Sequence, residues 1–191
     1  SDSIRVQPKS VENEFAKEKQ AAVSSCKSEL RLVIGNPPSS NHPIHSSPRT
    51  IIDNLMNDFR PPKLERTDRQ NVQKALNNEA YRFLRWCSER VIESEKGILA
   101  LILPGAFAES VSFKYARKWL IEKFKDIYVL QIDEDARRSD ATQSLFNVLQ
   151  GRLALIASYD HSVDSQNADV FYFSIGDYNL KNKKDFLSSK P

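Results

Sequence analysis

Four apolar runs stand out along the chain, and none of them alternates with polar residues. They are Leu32-Val33-Ile34, Ile98-Leu99-Ala100-Leu101-Ile102-Leu103, Ile127-Tyr128-Val129-Leu130-Gln131-Ile132 and Leu153-Ala154-Leu155-Ile156-Ala157. Continuous apolar runs of this length predict strands buried on both faces. Pro104-Gly105 stops the second run, and Val170-Phe171-Tyr172-Phe173 predicts a fifth strand. Between the runs the period becomes helical. From Asp68 to Glu93, the residues Val72, Leu76, Ala80, Phe83, Leu84, Cys87 and Val91 trace one face, which predicts a single helix. Phe113, Ala116, Leu120 and Phe124 predict another, with Ser112 as its N-cap. Strand, helix, strand, helix, strand is the order of an α/β protein with a parallel sheet. About 20 residues separate the third and fourth runs, with at most a helical turn near Gln143–Phe146. Those two strands are therefore expected as antiparallel neighbours at the sheet edge.

The ends of the pattern are polar. Residues 1–28 mix both charges, and Val11 to Ala22 offers only a thin apolar stripe, so a solvated lead-in is expected there. The stretch from Ser39 to Arg66 is rich in Pro, Ser and Asn, with one short helix expected from Thr50 to Phe59. A long loop directly after a buried strand is a common place for function. No internal repeat is visible.

Composition narrows the class. The chain has 191 residues, 40% of them hydrophobic and 28% charged, and a mean hydropathy of −0.53. These values exclude collagen-like, coiled-coil and wholly disordered chains. No apolar run approaches the roughly 20 residues of a membrane span, so no membrane partner is expected. The polar N-terminus has no apolar core of a secretory leader. Two cysteines, Cys26 and Cys87, cannot form a disulfide framework, and a cytoplasmic protein is expected. The chain opens on Ser1 rather than Met and is expected to be a piece of something longer. Its five glycines, Gly35, Gly97, Gly105, Gly151 and Gly176, fall nowhere at the spacing of a phosphate-binding loop. A self-contained dinucleotide or P-loop site is thereby excluded. A net charge of +3 permits contact with nucleic acid without demonstrating it.

One motif carries chemistry. Leu32-Val33-Ile34-Gly35-Asn36-Pro37-Pro38-Ser39 is a strand ending in Asn-Pro-Pro. Ligands of open α/β sheets sit beyond the carboxyl ends of the strands. The prolines fix φ and donate no backbone hydrogen bond, which makes the turn rigid and leaves carbonyls free to accept. The Asn side-chain oxygen is a second acceptor. Two rigid acceptors suit an exocyclic amine, which has two donors.

This resembles motif IV, Asp/Asn-Pro-Pro-Tyr/Phe/Trp, of the amino-methyltransferases that make N6-methyladenine in DNA. Their target adenine is flipped out of the duplex. The resemblance implies catalytic roles for Asn36, Pro37, Pro38 and Ser39. Asn36 and the Pro37 carbonyl would accept from the amine, Pro38 would shape the turn, and Ser39 stands where the family has a base-stacking aromatic. The segments 75–87, 97–104, 117–120 and 124–130 look like the downstream half of the same catalytic domain. They are most similar to type ISP and related single-chain restriction–modification enzymes. The implied fold is a partial Rossmann-like methyltransferase sheet with flanking helices, in which residues 29–191 form the C-terminal half. The implied function is the target-adenine-binding part of an S-adenosylmethionine-dependent DNA N6-adenine methyltransferase. The alternative is a non-catalytic nucleic-acid-binding or interaction module derived from one. S-adenosylmethionine belongs to the complete enzyme, and no cofactor is expected on this chain alone. The expected partners are DNA and the missing N-terminal cofactor-binding half or fused domains. Asp133-Glu134-Asp135 is acidic where relatives tend to carry Gly-Asn.

Other features have plainer readings beside functional ones. Five Lys/Arg face one Glu between Lys114 and Lys125. Lys114, Arg117 and Lys118 are DNA-binding candidates, their phosphate contacts weighed against a solvated helix whose Tyr115 and Trp119 pack on a neighbour. Tyr81 and Trp86 read as core-edge packing. His42 and His45 lack a third ligand, so no metal is expected.

Overall fold

The computed structural model describes residues 30–37, 50–60, 72–73, 75–133, 144–146, 150–163 and 167–189. Five strands form one mixed sheet: β1 (Leu30–Gly35), β2 (Lys96–Pro104), β3 (Asp126–Asp133), β4 (Arg152–Asp160) and β5 (Asp169–Ser174). Their spatial order is β1-β2-β4-β3-β5. β1 runs parallel to β2, and β5 parallel to β3, while β4 is antiparallel to both β2 and β3. The α/β class is as expected. The antiparallel pairing of β3 and β4 is also as expected, but its place is not. β4 lies in the middle of the sheet, and β1 and β5 are the edges.

The described helices are α1 (Thr50–Leu55), which runs into a 3₁₀ turn at Met56–Phe59, then α2 (Glu79–Ile92), α3 (Ala106–Glu109), α4 (Lys114–Lys123) and α5 (Leu180–Ser188). The continuous helix expected from Asp68 is interrupted: Val72, Gln73, Ala75 and Leu76 are helical, Asn77 and Asn78 are not, and α2 starts afresh at Glu79. Asn78 adopts an extended conformation, and its side chain accepts a hydrogen bond from the Tyr81 N–H at 3.2 Å. That bond satisfies one of the orphan donors of a new helix and ends the old path. The expected cap at Ser112 moves as well. Ser110 caps a 3₁₀ turn at Val111–Phe113 by accepting from the Ser112 N–H, and α4 follows directly. Of the segment near Gln143–Phe146, Leu145 and Phe146 form a bend, and Gln143 lies outside the described residues. The lead-in at 1–28 lies outside the described residues, as do His42 and His45.

α2 and α4 cover one face of the sheet. Leu99, Leu101, Leu103, Leu153, Leu155 and Ala157 point into this layer, at most 2% exposed, beneath Leu84, Leu120 and Phe124. Each such Leu contributes about 1.5–3 kcal/mol by leaving water. Phe59 wedges between Tyr81 and Trp119, with ring centres 4.7 and 5.5 Å away. The strands are not buried on both faces. Ile98, Tyr128 and Ile156, on the opposite side, remain exposed.

Candidate functional site

β1, β2, β3 and β5 all end at one edge of the sheet, and β4 begins there. Asn36 leaves β1 at that edge. Gly35 lets the strand pass close under α2, since a Cβ there would sit 3.1 Å from Phe83 Cε1 and 3.2 Å from Leu101 Cδ2. Beyond it, Pro37 is buried and Asn36 is exposed. The Asn36 side-chain amide has no hydrogen-bond partner among the described residues, so it is free to accept from a ligand. Pro38 and Ser39 lie outside the described residues.

The neighbouring strand ends are tightly built. The Gly105 N–H donates to the Gly151 carbonyl at 2.7 Å, joining the end of β2 to the start of β4. A Cβ on Gly105 would come within 2.8 Å of Gln131 Nε2 and 3.1 Å of the Gly151 carbonyl carbon. At the end of β3, Asp133 accepts from Lys183 Nζ at 2.9 Å, from the Leu145 N–H at 3.0 Å and from Ser144 Oγ at 3.0 Å. Burial alone pushes the Asp133 carboxyl up, but the Leu145 N–H, the Lys183 ammonium and the Ser144 hydroxyl outweigh it. Its pKa is held below the ordinary carboxylate value. This node pins α5 and the 144–146 bend to the strand end, and it leaves Phe146 38% exposed there. Sequence reasoning missed both the node and α5. The N-capping Asn179, which accepts from the Asn182 N–H at 2.9 Å, was the available signal.

The basic helix divides its cations. Arg117 donates to the Phe107 and Ser110 carbonyls at 2.7 and 2.9 Å, tying α4 to the segment after β2. Lys114 and Lys118 are exposed, and Lys118 lies 3.7 Å from Glu122. Trp119 is buried under Arg85, so the aromatics of α4 pack inward. Lys114 opens α4, which follows β2 after α3 and the 3₁₀ turn at Val111–Phe113. A separate apolar pocket of about 140 Å³ opens between α4 and β5, lined by Phe107, Arg117, Leu120, Ile127, Val170 and Tyr172. Neither Asn36 nor Pro37 lines it. Among the described residues there is no group of three or more metal-ligating side chains, and no helix is long and apolar enough to cross a membrane.

No protein-family model matches the chain, and no curated protein does. Solved structures do. The fold matches the ATP-dependent type ISP restriction–modification enzyme LlaBIII bound to DNA, with a TM-score of 0.72, at 20% identity over 97% of this chain and 12% of that one. It matches the DrdV–DNA complex with a TM-score of 0.66, at 21% identity over 92% of this chain and 18% of that one. It also matches a nuclease-deletion mutant of the type ISP enzyme LlaGI in complex with a DNA substrate mimic. There the TM-score is 0.65, at 20% identity over 91% of this chain and 17% of that one. The chain thus has the fold of a segment spanning less than a fifth of these DNA-bound proteins.

Proposed function

We propose that this chain is the adenine-holding part of an S-adenosylmethionine-dependent DNA N6-adenine methyltransferase from a restriction–modification system. One observation carries the reading. Asn36, exposed and without a partner among the described residues, projects from a strand end beside the buried, rigid Pro37. In this role Asn36 Oδ1 and the Pro37 carbonyl accept from the exocyclic amine of a flipped adenine. They orient its lone pair, and Pro38 and Ser39 continue the turn. Lys114 and Lys118 contact the phosphate backbone.

The described residues do not fit a site for S-adenosylmethionine. No glycine-rich strand-to-helix turn occurs among them, and β1, the edge strand, has only β2 beside it. The cofactor would sit on strands added to the free edge of β1, outside this chain. The chain's own contribution is confined to holding and orienting the amine.

The test is Asn36→Ala in the full-length polypeptide. Methylation should fall at least 100-fold, on the order of the loss of one positioned transition-state hydrogen bond, with the urea midpoint unchanged. Asn36→Asp keeps an acceptor and should retain most of the activity. Near-wild-type methylation by Asn36→Ala would sink the assignment. Calorimetric titration of the 191-residue chain with S-adenosylmethionine should show no micromolar binding.

Ser39 supports a second reading, a non-catalytic module, because Ser cannot stack on a base. Stacking on an aromatic is worth about 1–3 kcal/mol per base. In a working pocket, Ser39→Tyr should tighten binding to DNA with a mismatched target and raise 2-aminopurine fluorescence at that position. Unchanged affinity and fluorescence would favour the module.

A further inference from the structure

The pocket between α4 and β5 has no part in the Asn36 site. Leu120, Ile127 and Leu155 are its deep members, at most 4% exposed, and Val170 and Tyr172, each about half exposed, stand at its rim. Apart from Arg117 and the Tyr172 hydroxyl, the lining is hydrocarbon. Water gains little in such a space, because it needs polar partners. The volume of about 140 Å³ sets the size of an occupant. An apolar cavity of about 150 Å³ holds one benzene ring, and sites for drug-sized molecules begin at roughly 300 Å³. One ring, or an aliphatic body of similar bulk, is the limit.

Arg117 is the charged member of the lining. Its Nη1 donates to the Phe107 and Ser110 carbonyls, which uses both Nη1 hydrogens. The Nε–H and Nη2–H groups have no partner among the described residues, and neither is closed off from solvent. These two lie side by side in the guanidinium plane and form the fork that binds one carboxylate through two parallel hydrogen bonds. Burial holds the Arg117 pKa below the ordinary guanidinium value. The group that faces it electrostatically is the Tyr81 hydroxyl, which burial pushes up and keeps neutral at pH 7. Cations this far out of water are normally paired with an anion. Among the described residues, Arg117 has only neutral partners.

The two features together select one chemistry. A bare inorganic anion would meet the fork and leave the walls empty. A neutral ring would fill the walls and leave the fork unmet. We propose that the pocket is a binding site for a small monocarboxylate with a single-ring or branched aliphatic body. Its carboxylate sits on Nε and Nη2 of Arg117, and its body packs against Leu120, Ile127 and Val170. Neither Asn36 nor Pro37 lines the pocket, so the proposal stands whether or not this chain holds an adenine.

The test is fluorine NMR of 4-fluorobenzoate titrated into the full-length polypeptide, with 4-fluorobenzamide as a neutral probe of the same shape. The benzoate should bind saturably with a Kd below about 1 mM, and the benzamide roughly tenfold more weakly or worse, as loss of a charge-assisted pair requires. Val170→Trp places a large ring in the pocket without touching the Arg117 tether, and it should weaken the benzoate at least tenfold. Arg117→Gln keeps a donor for the carbonyls but loses the charge and the fork, and it should bring the benzoate down to the affinity of the benzamide. Should Arg117→Gln fail to fold, Val170→Trp still decides. Equal binding of the two probes overturns the proposal. Benzoate binding that Val170→Trp leaves unchanged also overturns it, because the probe is then elsewhere. Absence of saturable binding overturns it as well. In that case, maleimide labelling of Val170→Cys slower than that of Lys123→Cys, an exposed position of α4, in a Cys26→Ser background would make another segment of the polypeptide the occupant.

Discussion

Arg85 lays its guanidinium 4.3 Å from the centre of the Trp119 ring, at a position only 3% exposed. The same group holds Asp58 and Glu89 at 2.7 Å each. It thereby fastens the turn after α1 to α2 while roofing a ring that belongs to α4. Arg suits this place because a planar fork can bind two carboxylates and still stack. Arg85→Met keeps the stem but loses the fork. Asp58 and Glu89 are partly exposed and can turn to water, so the cost should be about 1–2 kcal/mol, less than for a fully buried pair. The shift in urea midpoint measures it, and an unchanged midpoint would count against the clamp.

Acid should weaken the protein through Asp133. Its folded pKa lies below the ordinary value, so its contribution to stability is complete above about pH 4. That contribution is lost as pH falls from there through the lowered folded value. Asp133→Asn removes this part of the acid limb and leaves Lys183 charged and buried, at 2% exposure. The variant should lose about 3–5 kcal/mol at pH 7 and show a flatter dependence of stability between pH 4 and pH 2. Lys183→Met should cost less, because Leu145 and Ser144 still donate to the carboxylate. Urea titrations at several pH values would check both.

Cys87 should be inert in the folded state. It is 1% exposed, and burial pushes its thiol up to about 11. Roughly one thiol in a thousand is then ionised at pH 8, and the thiolate is the reactive form. In a Cys26→Ser background, labelling by iodoacetamide should track global unfolding as denaturant is added. Fast labelling without denaturant would contradict the packing of α2.

The three basic residues of α4 should behave differently. Lys114→Ala and Lys118→Ala should each weaken DNA binding by the full-length polypeptide and lower the magnitude of the salt slope by about one. Arg117→Ala should chiefly lower the melting temperature, because its donors are committed to the Phe107 and Ser110 carbonyls. A large change in salt slope for Arg117→Ala, with the fold intact, would reverse this division.

The strands were legible because long apolar runs have few other uses, and all five appear where the runs stand. Their surroundings were less so. Ile98 and Leu99 read alike in sequence, yet one is open and the other wholly buried. Burial on the second face depends on what covers it, which local pattern does not encode. The central place of β4 was hidden for a related reason: its pairing with β2 joins residues 48 to 64 positions apart. Asn36-Pro37 was legible because prolines constrain their own backbone. The tether made by Arg117 was not, since a guanidinium committed to carbonyls has the same letter as one facing solvent.

The central position of β4 sets an order of events during synthesis. β2 and β3 are not neighbours, so the two cannot share a ladder until Arg152–Asp160 has been made and inserted between them. At about 5–20 residues per second, β2 waits roughly 3–10 s with its β4-facing edge bare. An unpaired apolar edge is a template for wrong partners. The newborn chain is therefore most exposed to aggregation after Pro104 emerges and before Asp160 does, and a chaperone that binds extended apolar segments would have its greatest effect in that interval.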